Sequence, residues 1–161
     1  MKRINISIII TLLLLTVMNQ GSQAVDKNRP ADDDSIFPKG QLAPAKFFTG
    51  NVWVTGLVNA DSVFTTAAGS VFFEPGARSN WHSHPAGQIL IVTAGVGYHQ
   101  IKGQPIEIIR KGDVVKCPPD VVHWHGASND SSMTHIYIVP NTEKGIVNWM
   151  DAVTDKEYGN L

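Results

Sequence analysis

The chain has 161 residues, 13 basic against 14 acidic side chains and a formal charge of −1 at neutral pH. That balance offers no basic footprint for nucleic acid or an anionic membrane surface. A single cysteine, Cys117, excludes an intrachain disulfide framework, so stability has to come from an apolar core or a partner subunit.

Met1 to Ala24 (1–24) reads as an export signal: Lys2 and Arg3 supply a positive end, Ile6 to Met18 an apolar run, and Ser22-Gln23-Ala24 small residues where a signal peptidase reads. The run is about thirteen residues, short of the ~20 that span a bilayer. Cleavage after Ala24 is therefore expected, leaving an exported, periplasmic protein with no stable membrane insertion; retention as an N-terminal anchor is the alternative. No cysteine lies near the cut to carry a lipid. Removing these 24 residues leaves 137, with 11 basic and 14 acidic side chains, enough for one domain. Residues 25–45, with Asp32-Asp33-Asp34 and Pro30, Pro38 and Pro44, bury too little apolar surface to offset ordering and read as a flexible leader. Ile36 and Phe37 are its candidates for packing onto the domain.

Residues 46–161 form the domain proper. Val52-Trp53-Val54, Leu57-Val58, Val63 to Thr66 and Ser70 to Phe73 read as short strands. Gln88 to Thr93 is apolar enough for burial on both faces, and Gly95 to Lys102 follows across a short turn. Ile106 to Ile109, Val114-Val115, Val121 to His125 and Met133 to Val139 complete the series. Short strands separated by Gly, Pro, Asn and Asp predict an antiparallel sandwich or barrel. Near the end, Val147, Trp149, Met150, Val153 and Tyr158 recur at helical spacing and predict a short C-terminal helix covering a sheet face, a barrel mouth or a dimer contact.

Two His-x-His pairs stand out, His82-Ser83-His84 and His123-Trp124-His125. Alternation puts both members of each pair on one strand face, so the pairs can meet across strands as a metal site. The same alternation turns Trp81 and Trp124 away from it, into packing. His125, beside His123 and titrating near neutrality, is a candidate general base or acid, with a fifth ligand or a passive polar wall as alternatives. Arg78 could orient an anionic substrate or pair with a local carboxylate. His99 is expected to be satisfied in the core or at the surface, and nothing marks Cys117 as a nucleophile.

The spacing Gly76, His82-Ser83-His84, Gln88, Gly95 resembles the first cupin motif, and Gly112, Pro118, His123 the second. Phe73-Glu74-Pro75-Gly76-Ala77-Arg78, Trp81 to Pro85, Gly87-Gln88, His123 to Ala127 and Met133-Thr134-His135 resemble the bacterial cupin hydroxynitrile lyases more closely. Phe48-Thr49-Gly50 and Trp149-Met150 extend the likeness over nearly the whole mature chain. Small cupins that accompany carboxymuconolactone decarboxylase-type proteins are also similar. The resemblance implies an all-β fold, a cupin jelly-roll antiparallel β-barrel with a short C-terminal helix. It implies metal ligands His82, His84, Gln88 and His123, with Mn(II) favoured and Fe(II), Ni(II) or Zn(II) as alternatives.

It further implies a lyase acting on a small-molecule substrate, a cyanohydrin split to aldehyde plus cyanide, with His125 as base and His135 in the pocket. A metal-dependent dioxygenase and an exported metal or small-ligand binding module are the alternatives. The general pattern has Glu where this chain has Gln88, so three imidazoles and an amide would leave the full charge of a dipositive ion uncompensated. Asp120 stands where the second motif has Gly, and Ala127 where it often has Asn, which puts the local turn geometry in question. Edge strands and a partly apolar leader predict a homodimer or larger homo-oligomer.

Overall fold

A computed structural model of the protein describes residues 36–159. The expected signal at 1–24 and the leader up to residue 35 lie outside those residues. Twelve strands follow in order: β1 (Gln41–Leu42), β2 (Phe48–Thr49), β3 (Val52–Val58), β4 (Ala67–Phe73), β5 (Arg78–Ser79), β6 (His82–Ser83), β7 (Gln88–Ile101), β8 (Glu107–Arg110), β9 (Val114–Cys117), β10 (His123–Ala127), β11 (Met133–Val139) and β12 (Asn148–Trp149). The one α-helix among the described residues, α1 (Asp155–Tyr158), follows them.

The 14-residue β7 belongs to both halves of the fold. Its first half lies between β11 and β9, its second between β10 and β8, all antiparallel. From β11 the first half continues through β4 and β3 to β1; from β10 the second continues through β5 to β2, with β6 on β10 and β12 on β6. The result is a curled antiparallel half-barrel of the jelly-roll kind. No turn divides β7. Gly95 instead bends it, with φ +73, and an added Cβ there would lie 1.9 Å from the Ser132 carbonyl oxygen. The neighbouring register on β11 slips between Thr134 and His135, as a bulge at a sheet corner requires.

Alternation sorts the side chains. Gln88, Leu90 and Val92 are buried, whereas Ile89 and Ile91 are only half-buried, so this half of β7 has one covered face rather than two. Inside the curl Val52, Val71, Phe73, Val92 and Met133 pack with Ala77, Ile109 and Ala127. On the far side of β10, Trp124 packs with Trp81, Tyr98, Val153 and Tyr158, the packing role expected of both tryptophans.

The C-terminal segment differs from its sequence pattern. The helix is four residues long, set by a capping box between Thr154 and Glu157. Asn148-Trp149 is a strand because β6 offers an open edge, and the Met150 N–H to Trp81 O (2.9 Å) and Trp81 N–H to Asp151 O (3.0 Å) bonds extend that ladder. At the other end, part of the expected leader is sheet: Gln41 and Leu42 pair with Val54 and Trp53. Val63 to Thr66 makes no strand, since the Asp61 carboxylate accepts the Val63 and Phe64 N–H groups (both 2.7 Å) and holds a turn.

Candidate metal centre and active-site pocket

β6 presents His82, the turn after it presents His84, Gln88 opens β7, and β10 presents His123 and His125. Register brings them together, because His82 pairs directly with His123. The turn holding His84 is closed by the Gly87 and Asp120 N–H groups, both on the His84 carbonyl (3.0 and 2.9 Å). Asp120, where glycine was expected, takes φ 60, a left-handed conformation that Asp tolerates better than most side chains. The turn therefore keeps its geometry. Ala127 is fully buried in the core, with its N–H on the Ala77 carbonyl.

The ring nitrogens separate into two groups. His82, His84 and His123 each direct Nδ1 at a backbone carbonyl: Asn80 O at 2.9 Å, Ile146 O at 2.5 Å and Val121 O at 2.9 Å. A carbonyl only accepts, so Nδ1 carries the proton in all three, and Nε2 presents its lone pair. His84 Nε2 is buried with no partner. His123 Nε2 faces Gln88 Oε1 at 3.2 Å, two lone-pair-bearing atoms that a cation would reconcile. One ligand atom from each of His82, His123 and His125 lies within 4.8 Å of the others. The His84 ring stands 5.2 Å from that of His82 and 5.6 Å from that of His123. This triad can hold a divalent metal, with His84 and Gln88 beside it.

His125 and His135 lack such anchors. The buried Nδ1 of His125 and both nitrogens of His135 have no partner. Their rings meet edge to face at 4.7 Å, backed by Phe73. Electrostatics point the same way throughout the cluster. Burial, together with the neighbouring His123, holds His82 well below the ordinary imidazole range. Burial holds His125 equally low, and brings His123 and His135 down to about 4. All four are neutral near pH 7, the state that binds metals and accepts protons.

A cavity of about 470 Å³ opens onto these groups, lined on one side by Val54, Val71, His135 and Tyr137 and closed on the other by Phe47, Phe48 and Trp149. Trp149 stacks on Phe47 (4.7 Å between centroids) and lies 5.0 Å from the His82 ring. Among the described residues, no charged side chain lines it. Sequence reasoning missed this aromatic wall; the signal available was three large aromatics in segments with little strand character. Gln41 to Pro44, read as leader, also line the cavity.

Other residues fall outside the pocket. Arg78 is buried, donating to the Val153 carbonyl (3.2 and 3.0 Å) and pairing with Asp155 at 2.6 Å. His99 is satisfied by Glu107 (3.2 Å) and Cys117 (3.5 Å). Burial pushes the Cys117 thiol up to about 12, which removes it as a nucleophile.

Comparison with known proteins agrees with this architecture. The Cupin domain family matches residues 69–139. The (R)-mandelonitrile lyase of Granulicella tundricola is 48% identical over 115 residues, covering 71% of this chain and 88% of that protein. A cupin-like protein from Thermotoga maritima superposes with a TM-score of 0.76 at 52% identity, over 78% of this chain and 95% of that one. A DMSP lyase from Ruegeria pomeroyi shares the fold alone, with a TM-score of 0.56 at 18% identity over 69% and 61% of the two chains. The likeness to the Granulicella protein supports a lyase-like enzyme at the level of the family. The chain belongs to the cupin family, as a small cupin most like the hydroxynitrile lyases.

Proposed function

We propose that the protein is a metal-dependent lyase that splits a small neutral cyanohydrin into aldehyde and cyanide. The observation that carries this reading is the division of the histidines. Three have Nδ1 tied to backbone and Nε2 free to ligate, and two beside them are buried, neutral and unanchored. Of the triad of His82, His123 and His125, His82 and His123, joined by His84 and Gln88 beside them, would hold the ion, Mn(II) above Fe(II), Ni(II) or Zn(II), and leave His125 as base. A bound dipositive ion would supply Lewis acidity toward a substrate oxygen, undiminished because Gln88 is neutral.

The chain's own residues do the rest. The uncharged cavity admits a neutral molecule and packs its organic group against Phe47, Phe48 and Trp149. His125, kept neutral by burial, takes the hydroxyl proton. The O–H pair becomes the second bond of the carbonyl, the carbon–carbon bond breaks, and cyanide leaves with its electrons. The proton taken by His125 goes on to the departing cyanide, which His135, 4.7 Å ring to ring from His125, helps to hold. The named activity of the Granulicella relative supports the choice of substrate.

The test is metal content and mandelonitrile cleavage measured on the same preparations. His125→Ala is expected to keep metal and lose about 10²-fold or more in turnover, the usual scale of general-base catalysis. His84→Ala is expected to lose metal and activity together. Full activity in His125→Ala would remove it from the mechanism, and absent cleavage by the metal-loaded wild type would remove the lyase reading.

A further inference from the structure

The inner face of the first sheet carries an unusual row. Register places Gly56, Gly69, Tyr137 and Leu90 side by side on β3, β4, β11 and β7. His135 lies two residues before Tyr137 on the same face of β11, and both line the cavity. The Tyr137 ring lies directly on Gly69: a Cβ there would come within 2.6 Å of the ring and 2.8 Å of the Thr55 carbonyl oxygen. Gly69 thus clears the space that the phenol ring occupies.

Filling the gap needs only a ring. Phe would bury the same surface without a hydroxyl to desolvate, yet the sequence has Tyr. Burial raises the Tyr137 pKa, so the phenol is a protonated donor across the whole neutral range. The Tyr158 hydroxyl, in the cluster on the far side of β10, is by contrast committed to the Ala127 carbonyl at 2.8 Å. Among the described residues, no group bonds the Tyr137 hydroxyl. Among the groups that line the cavity, His82, Gln88, His125 and His135 belong to the reacting end.

We infer that Tyr137 is a specificity-determining residue: seated on Gly69, it donates a hydrogen bond to an acceptor on the substrate's organic group. The ligand class is a neutral aryl aldehyde, or its cyanohydrin, carrying an oxygen acceptor on the ring. The inference rests on the lyase reading for its ligand class and so for its choice of probe. A neutral hydrogen bond of this kind contributes about 1 kcal/mol, or roughly fivefold in affinity.

The experiment is equilibrium binding of benzaldehyde and 4-methoxybenzaldehyde to the metal-loaded full chain, without cyanide, by calorimetry, for wild type and Tyr137→Phe. The wild type should favour the methoxy compound by roughly fivefold or more, and Tyr137→Phe should erase that preference while binding benzaldehyde equally well. Equal losses for both aldehydes, or an unchanged preference, would reduce Tyr137 to a filler for the glycine gap. Tyr137→Leu, which keeps bulk but neither ring nor hydroxyl, should also lose the preference. Its retention there would overturn the inference even if Tyr137→Phe folded poorly. Turnover is not read, so failure of cyanohydrin cleavage leaves this result standing on its own.

Discussion

His135 has no exposed surface and no partner on either ring nitrogen. An unsatisfied buried polar atom costs about 1–3 kcal/mol, so a side chain used only for packing would be aliphatic here. The same burial makes stability pH-dependent. The ring titrates at about 4 in the folded chain and near 6.5 when unfolded. Between those values the unfolded chain binds a proton that the native state refuses, so stability is full above pH 6.5 and falls as the pH drops toward 4. In the metal-free protein, His135→Leu should lose about 2 kcal/mol less than wild type between pH 7 and pH 5, read from urea unfolding. Identical losses would mean that His135 is solvated or paired in solution. The His123-Trp124-His125 pair was legible because strand alternation has a fixed period; His84 lies in the turn after β6, so alternation does not account for its place beside His82. The division among the histidines was not legible: it depends on the carbonyls of Asn80, Val121 and Ile146, whose directions are set by turns and by a segment distant in the chain.

Arg78 shows how an element can be tied down by one side chain. From β5 it reaches over the Tyr158 ring (4.6 Å) to the Val153 carbonyl and the Asp155 carboxylate, fixing the tail that carries α1 against the second half of the sheet. Asp155 is almost fully exposed, so the ion pair adds little; the two bonds from the guanidinium fork to a buried carbonyl matter more. Arg78→Lys cannot reproduce the fork and should cost about 2 kcal/mol in chemical denaturation, with KM for mandelonitrile changed by less than about twofold. A large rise in KM at unchanged stability would restore the substrate-orienting role. The alternation at the start of β11, with Met133 and His135 buried and Thr134 and Ile136 half-buried, could be read from sequence. The continuity of β7 through Gly95 could not, because a glycine at a bulge and a glycine in a turn look alike until the partner strand is known. β12 and the four-residue helix were hidden for a related reason: the open edge of β6 overrode a helical spacing of apolar residues.

At the scale of the whole domain, one broad face of the first sheet is left uncovered by the described residues. Opposite the pocket side of the first sheet, register lines up Phe72, Ile89, Ile91, Ile136 and Ile138, all half-buried, with Trp53 beside them under the Lys39 amine at 3.6 Å. At the margins of this face, Leu42 and Val114 are 60% and 59% exposed. A surface of this kind on a monomer marks an interaction site. β1 adds an edge strand that a neighbour could pair with. We propose that a second copy of the chain covers this face through a two-fold contact, which needs about 800 Å² from each partner. Sedimentation at about 10 μM should give a dimer for wild type and a monomer for Ile136→Lys, because a charge in the middle of a buried apolar contact costs several kcal/mol. Ile136 points away from the cavity, being adjacent in sequence to inward-facing His135. Metal loading in Ile136→Lys should therefore match the wild type, and a monomeric variant that no longer loaded metal would instead mean that the pocket depends on the second subunit. A wild type that sediments as a monomer would leave the face to a different partner, and a dimer that survived the lysine would move the contact elsewhere on the barrel.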